Sequence, residues 1–255
     1  GCAMKTGLVS ISFRGLSPRE IIALSQDCAL EAIEWGGDVH VPCGDLDRAS
    51  QVGAMTRDAG LAVACYGSYC RLTKEEAAAG ALEKTVETAR TLGAPLIRVW
   101  AGRQGSGQAT PQERAEIAEN AQRMAALAQA AGMEIAFEYH GGTLTDDAFS
   151  ALSLLQAVNR ENVGALWQPP VDMDTAGCLA GIETIAPYIR NVHVFSWLGT
   201  ERLPLAAGAE KWRACLRALQ ALPGKRALLL EFVQGDAPAQ LKRDAACLRQ
   251  WLQEL

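Results

Sequence analysis

The chain has 255 residues, of which 49% are hydrophobic and 21% charged, and its formal net charge at pH 7 is −5. This length is typical of a single α/β barrel domain, and the composition excludes a disordered chain because it offers enough apolar surface for a large core. The acidic balance, without a basic run longer than two residues, disfavours a nucleic-acid partner, and no apolar run approaches the roughly 20 residues that span a bilayer.

At the start of the chain, Gly1 to Ala3 precede Met4. We expect residues 1–6 to be an N-terminal extension, added in part ahead of a natural start at Met4, and residues 1–255 to form one domain. The N-terminus lacks a basic segment followed by an apolar one, the pattern of a signal peptide, so we expect the protein in the cytoplasm. The eight cysteines are scattered and contain no C-x-x-C pair, so we expect reduced thiols.

Short apolar runs typical of β-strands alternate with amphipathic helical stretches along the chain. We predict strands at residues 7–12, 31–35, 61–66, 96–101, 133–139, 162–167, 190–195 and 226–233. Helices are predicted from starts at Ser17, Thr73 and Thr110 and over residues 45–59, 146–158, 175–188, 210–222 and 237–252. This strict alternation predicts an α/β fold, a single (β/α)8 TIM barrel. A doubly wound open sheet is the alternative, but residues 12–16 lack its Gly-rich phosphate turn.

Four neighbouring predicted strands carry a polar side chain late in the strand or just after it. These are Glu138 on the fifth, Gln168 after the sixth, His193 on the seventh and Glu231 on the eighth. Because the active site of such a barrel is built at the carboxyl ends of its strands, we expect all four on one rim. Two carboxylates, an imidazole and an amide oxygen suit a divalent metal such as Mn²⁺, Mg²⁺, Co²⁺ or Zn²⁺.

A metal at this rim would polarise a ketose carbonyl and its neighbouring hydroxyl while a glutamate moves a proton on the carbon between them. Each residue taken singly is as compatible with a structural ion pair, but four together favour a site. We therefore predict a metal-dependent isomerase or epimerase of a small sugar, keto-sugar or related polyol. Glu138 and Glu231 would be base and acid around a metal-stabilised enediolate.

The second strand with its loop, E-W-G-G-D-V-H-V-P-C-G-D, and the fourth strand, I-R-V-W-A-G, complete the pattern. From Gly7 onward the chain resembles the xylose isomerase-like TIM-barrel superfamily and, within it, the sugar phosphate isomerase/epimerase group. The resemblance implies that the metal is held by residues ending strands five to eight, here Glu138, Gln168, His193 and Glu231, with the two glutamates as acid/base pair.

Gln168 departs from this family pattern, in which strand six ends in an aspartate. A neutral amide oxygen binds a divalent ion less strongly than a carboxylate, so we expect reduced metal affinity. Asp172 follows closely in the chain and is an alternative ligand, although Pro169 and Pro170 carry it past the strand.

A second set of residues is predicted to contact substrate. The resemblance implies that the loops after strands two and seven meet substrate oxygens, and His40 and Arg202 lie in those loops. The remaining candidates are Trp35, Arg98, Trp100 and His140, with Glu34 beside them. They would bind hydroxyls, pair with an anionic group or line a sugar ring face. The tryptophans are equally compatible with the core, and Arg202 with a surface salt bridge.

Three other functions fit the same barrel. A keto-inositol dehydratase would share the opening proton abstraction, and a non-catalytic sugar-binding barrel would explain the weakened ligand at Gln168. A DNA-repair endonuclease needs a histidine-rich three-zinc cluster, which three histidines and an acidic chain disfavour. The expected partner is a small sugar, with no nucleic acid or membrane. A homodimer through outer helices is compatible with the sequence.

Overall fold

The structure, a computed structural model, describes residues 3–255 and contains a closed barrel of eight parallel strands. Around the barrel the order is β1-β10-β7-β6-β5-β4-β3-β2. The barrel strands are β1 (Ala3–Val9), β2 (Ala32–Gly36), β3 (Ala62–Gly67), β4 (Leu96–Val99), β5 (Glu134–Glu138), β6 (Val163–Trp167), β7 (Ile189–Val194) and β10 (Lys225–Leu230). In the chain segment that connects β7 to β10, β8 (Trp197–Leu198) and β9 (Glu201–Arg202) form a separate antiparallel pair. The predicted (β/α)8 fold is confirmed.

Nine α-helices lie within residues 3–255, one more than predicted. They are α1 (Pro18–Asp27), α2 (Leu46–Asp58), α3 (Lys74–Ala78), α4 (Ala81–Leu92), α5 (Pro111–Ala130), α6 (Ala148–Val158), α7 (Thr175–Ile185), α8 (Ala209–Gln220) and α9 (Pro238–Gln253). The extra helix arises because the third connection is divided into α3 and α4. Gly80 separates them with a φ of 78°, a left-handed conformation that ends a helix. None of these helices is long and apolar enough to cross a membrane.

Local capping explains where several helices begin. Ser17 accepts a hydrogen bond from the Glu20 amide while the Glu20 side chain accepts one from the Ser17 amide, and Pro18 takes the first helical position. Thr110 caps α5 in front of Pro111 in a similar way. These short-range signals are visible in the sequence, which is why the predicted starts agree with the structure.

The first strand differs from the prediction at both ends. It begins at Ala3 rather than at residue 7, and residues 3–8 pair in register with residues 225–230 of β10. Residues 10–12, predicted as the end of this strand, belong instead to a 3₁₀-helix, Ser10–Phe13. Pairing with a strand more than 200 residues away extends β1 beyond its apolar run, so residues 3–6 belong to the barrel. Of the predicted extension, Gly1 and Cys2 lie outside the described residues.

Alternation along the strands decides which side chains face the barrel interior. One apolar cluster contains only strand residues, Cys65, Leu96, Ala136 and Leu166, and fills part of the interior. Their neighbours in each strand, such as Ile97 and Phe137, belong to the main core shared with the helices. The position two residues further along each strand faces inward again, at the carboxyl end of the barrel.

Candidate active site

Glu138, His193 and Glu231 are brought together at the carboxyl end of the barrel. Glu138 is the last residue of β5, His193 lies in β7 and Glu231 directly follows β10. One potential ligand atom from each lies within 4.8 Å of the others, and all three side chains are buried. Three ionisable groups taken out of water in one place must compensate one another or bind an ion.

The Nδ1 atom of His193 is the centre of this group. It lies 3.1 Å from Gln168 Oε1, 3.3 Å from Glu231 Oε2 and 3.7 Å from Glu138 Oε1. Three acceptor oxygens around one imidazole nitrogen require a positive charge between them, supplied by a proton or by a cation. Nitrogen and oxygen donors in this number and mixture fit a divalent metal held by Glu138, His193, Glu231 and Gln168.

Glu34, in the middle of β2, lies on the other side of the His193 ring. Its Oε1 lies 3.1 Å from His193 Nε2, and both side chains are fully buried. A carboxylate behind a ligating histidine fixes the ring orientation and keeps the ring proton on the far nitrogen. The sequence indicated Glu34 only as a residue near substrate, because all five residues of β2 are buried and a shift of one residue would exchange Glu34 with Trp35.

Arg98 joins the two sides of the site from β4. Its Nη1 lies 3.5 Å from Glu34 Oε2 and its Nε lies 3.3 Å from Glu138 Oε2. The same guanidinium donates to the carbonyl oxygens of Gly67 and Ser68 at the end of β3. Because the side chain is only 1% exposed, it compensates buried carboxylates and orients them.

Trp100 donates a hydrogen bond to Glu138 Oε2, the oxygen that also lies near Arg98. Its indole Nε1 donates to Glu138 Oε2 across 2.7 Å, and Oε1 is the oxygen that faces His193. The two oxygens of one carboxylate therefore have different surroundings.

The buried charges shift the acidities of the three central groups. Burial raises the pKa of Glu138, but Arg98 and His193 outweigh it and hold the pKa at about 2. Burial lowers the pKa of His193, yet the carboxylates of Glu231 and Glu34 raise it well above its usual range. Burial and the nearby Glu138 raise the pKa of Glu231 to about 7, against the opposing effect of His193. Without a metal, the site therefore retains protons near neutral pH.

An aromatic wall borders the site on the side of β7 and β10. Phe195 stacks on Trp197 with ring centroids 3.8 Å apart, and Phe232 lies 6.2 Å from Trp197. Phe232 follows Glu231 with a φ of 50°, a strained conformation for a bulky residue, and its amide donates to Ser12 Oγ. Strain of this kind is concentrated at sites where the chain must aim a functional side chain.

The family profile described as "Xylose isomerase-like TIM barrel" matches residues 22–251. This chain belongs to that family. Over 207 residues it is 25% identical to a 3-dehydroshikimate dehydratase from Bacillus anthracis, covering 74% of this chain and 71% of that enzyme. The family resemblance inferred from the strand-end residues is thereby confirmed.

The solved structures that share this barrel include those of a probable dehydratase and an epimerase. That of the probable 3-DHS dehydratase involved in petrobactin synthesis from Bacillus anthracis superposes with a TM-score of 0.81 at 21% identity, over 96% of this chain and 99% of that one. An L-ribulose 3-epimerase superposes with a TM-score of 0.75 at 19% identity, over 98% and 95%. At these identities the likeness establishes the fold, which a probable dehydratase and an epimerase share.

Two residues of this xylose isomerase-like barrel that were predicted to contact substrate are corrected by their position. Trp35 belongs to the core between β2 and α2, and its indole donates to Thr56 Oγ1. It points away from the site because it alternates with the inward Glu34. His40 is 2% exposed, with one ring nitrogen bonded to Ser10 Oγ and the other to the Leu16 carbonyl, so both polar atoms are already used.

Of the other predicted substrate contacts, Arg98 is buried and paired with Glu34 and Glu138, whereas His140 and Arg202 lie around the rim. His140 is exposed and stacks on Trp100, with ring centroids 5.2 Å apart. Arg202 is paired with Asp236 and lies 4.3 Å from the Phe232 ring centroid. Asp172, the alternative ligand, is exposed and accepts the Gly199 amide instead of joining the site.

Rim residues that the sequence analysis missed cluster near the loops after β1 to β3. Tyr69 donates to Asp38 and accepts from Arg14, which also pairs with Asp38 at 2.8 Å. These contacts join three loops, and no pattern within any one loop predicts them.

Proposed function

We propose that this protein is a divalent-metal-dependent enzyme that moves a proton next to the carbonyl of a small polyhydroxylated ketone. The first candidate is an isomerase or epimerase of a sugar, keto-sugar or related polyol. One observation carries the proposal: two buried carboxylates, Glu138 and Glu231, face the same His193 nitrogen. A protein that only binds sugar has no need for two such carboxylates at one buried point.

The net charge of the buried groups matches that of one divalent metal ion. The three buried carboxylates of Glu34, Glu138 and Glu231, with the guanidinium of Arg98 among them, leave two negative charges when His193 is neutral. A bound divalent cation would supply electrophilic polarisation of the substrate carbonyl.

The protein's own groups would handle the proton. In an epimerisation, one glutamate removes the proton beside the carbonyl and the other returns a proton to the same carbon from the opposite face. In an isomerisation, the proton returns to the former carbonyl carbon. Glu138 is held by Trp100 and Arg98, and Glu231 is carried on the strained turn at Phe232.

Substrate contacts are proposed for the rim. His140, Trp100 and Arg202 surround the mouth and offer hydrogen bonds and stacking to a hydroxylated ring. We also propose that the chain acts as one domain on a free small molecule, in the cytoplasm, as a homodimer or monomer.

A dehydratase is the second candidate, and a pair of arginines favours it. Arg14 and Arg202 both line a cavity of about 530 Å³ whose wall includes Phe232, the residue after Glu231. Each is paired with an aspartate, Asp38 and Asp236 respectively, with which a substrate carboxylate would share it. Two guanidinium groups suit a carboxylate, which a keto acid has and a neutral ketose or keto-inositol lacks. The similarity to a 3-dehydroshikimate dehydratase points the same way. The opening proton abstraction is shared, and loss of a hydroxyl as water then replaces reprotonation.

The experiment is an exchange assay in D₂O. Purified protein with diamagnetic Mg²⁺ is incubated with a panel of ketoses, keto-inositols and 3-dehydroshikimate while NMR follows the proton beside the carbonyl. We expect exchange with at least one substrate. Epimer or isomer formation identifies the first candidate, and appearance of an aromatic dihydroxybenzoate from 3-dehydroshikimate identifies the second.

The matched variants are Glu138→Gln, Glu231→Gln and, as control, the exposed Glu87→Gln on α4. Loss of a general acid or base is expected to slow exchange by about 10²- to 10⁴-fold in the first two and not in the control. Absence of exchange with every substrate, although sugars bind, would overturn the enzyme proposal in favour of a sugar-binding barrel.

A further inference from the structure

We infer that Trp100 is a positioning residue of the metal site: its indole N–H holds one oxygen of Glu138 so that the other is presented to the cation. The inference rests on the proposed metal site. It assigns to the Trp100 indole N–H a task directed at a protein ligand, in addition to the substrate contact proposed for the ring.

The two oxygens of Glu138 have different partners. Oε2 accepts the Trp100 indole at 2.7 Å and lies 3.3 Å from Arg98 Nε. Oε1 lies 3.7 Å from His193 Nδ1, among the other candidate ligand atoms. A carboxylate with a hydrogen bond and an ion pair on the same oxygen is restricted in rotation, so it offers its other oxygen in a set direction.

Trp100 is itself immobilised by its surroundings. The guanidinium carbon of Arg71 lies 4.3 Å from the indole centroid, and the His140 ring stacks on the indole at an interplanar angle of 28°. The Tyr69 ring packs edge-to-face against it, with ring centroids 5.5 Å apart. The Trp100 backbone amide donates to the Cys70 carbonyl at 2.9 Å. Contacts on the ring and the backbone fix the direction of the indole N–H.

An indole suits this position because it donates one hydrogen bond and adds no charge. Arg98 already brings one positive charge next to Glu138, and a second would compete with the cation for the carboxylates. With the neutral Gln168 in the ligand set, Glu138 is one of only two ligating carboxylates. Its orientation therefore has a large influence on affinity.

The test compares two tryptophan-to-phenylalanine variants by Mn²⁺ titration, with free Mn²⁺ followed by electron paramagnetic resonance. Trp100→Phe keeps the aromatic ring and deletes the bond to Glu138. Trp212→Phe is the matched control, since it deletes an indole bond of 2.8 Å to the Phe195 carbonyl on the other side of the barrel wall. We expect about 10- to 100-fold weaker Mn²⁺ binding in Trp100→Phe and wild-type affinity in Trp212→Phe.

Equal Mn²⁺ affinity in wild type and Trp100→Phe would overturn the inference while leaving the proposed function intact. Weakened binding in Trp100→Phe, together with no turnover of any ketone by wild type, would support the inference and sink the proposed reaction. A wild-type protein that takes up no Mn²⁺ would overturn both.

A second measurement uses the wild-type fold and so does not depend on the stability of a variant. In ¹⁵N spectra, the Trp100 indole N–H signal is expected to shift when diamagnetic Mg²⁺ is added, because the cation draws charge from the carboxylate that accepts its bond. The Trp212 signal serves as the internal reference. A Trp100 signal unchanged at saturating Mg²⁺ would contradict the inference.

Discussion

Glu34 Oε1 lies 3.1 Å from His193 Nε2, while Glu138, Gln168 and Glu231 approach the Nδ1 atom of the same ring. The two nitrogens of one imidazole therefore have separate partners. A neutral imidazole carries a single proton, and the buried Glu34 carboxylate keeps that proton on Nε2. Nδ1 is then left as a lone-pair donor on the side where the other ligands converge.

Replacing Glu34 with glutamine is expected to weaken metal binding by about 10- to 100-fold. The substitution removes the charge behind His193, so the ring becomes a poorer ligand and its orientation is less strongly fixed. Isothermal titration with Mn²⁺ measures the change. The exposed Glu87→Gln on α4 is the matched control and should bind as wild type does. Unchanged affinity in Glu34→Gln would show that the contact with His193 has no role in holding metal.

Replacing Gln168 with aspartate is expected to strengthen metal binding. Gln168 Oε1 lies 3.1 Å from His193 Nδ1, so a carboxylate there would add a charged ligand atom at the same centre. We expect at least a tenfold gain in Mg²⁺ or Mn²⁺ affinity, about 1.4 kcal/mol. Gln168→Ala, measured by the same titration, should lose affinity. A Gln168→Asp variant with weaker binding than wild type would mean that the amide does not belong to the ligand set.

The central triad of Glu138, His193 and Glu231 could be predicted from the sequence because two simple rules act together. Alternation with a period of two places Glu138 on the same face as Ala136, and the carboxyl ends of barrel strands meet on one rim. The same rules explain why the sequence could not separate Glu34 from Trp35. Adjacent residues face opposite sides of a strand, and a shift of one residue in register exchanges them. Only the closed barrel reveals that Glu34 faces inward to His193 and Trp35 outward to Thr56.

Side-chain contacts between distant strands were equally out of reach. The ion pairs of Arg98 with Glu34 and Glu138 depend on side-chain rotamers and on the diameter of the barrel, which no local pattern encodes. The early start of β1 at Ala3 depends on pairing with β10 in the same way.

Metal binding is expected to strengthen as the pH rises from 6 to 8. In the folded protein the pKa of His193 is raised well above the usual histidine range. The pKa of Glu231 is raised to about 7. The metal-free protein therefore holds more protons than the unfolded chain, which favours it at low pH and disfavours it as the pH passes through the raised values. A cation must displace those protons, so its binding releases them. The rise in melting temperature on adding Mn²⁺ should be larger at pH 8 than at pH 6.

His140→Asn is the matched control for that pH dependence, because His140 is an exposed histidine outside the triad. It should keep the pH dependence, and Glu231→Gln should flatten it. An equal Mn²⁺ effect on the melting temperature at pH 6 and pH 8 in wild type would contradict the assignment of protons to the site.

Adding a single methyl group at Gly7 is expected to destabilise the barrel itself. A Cβ at this position in β1 would lie 2.4 Å from the Ala32 carbonyl oxygen and 2.6 Å from Leu229 Cδ2, inside a closed wall that cannot expand locally. Overpacking of this kind costs about 1–3 kcal/mol, which urea unfolding of Gly7→Ala measures. Gly107→Ala is the matched control, since no atom lies within 4 Å of its added Cβ, and its change should stay within about 0.5 kcal/mol. Equal stability of Gly7→Ala and wild type would mean that β1 does not pack as closely on β2 and β10 as this register requires.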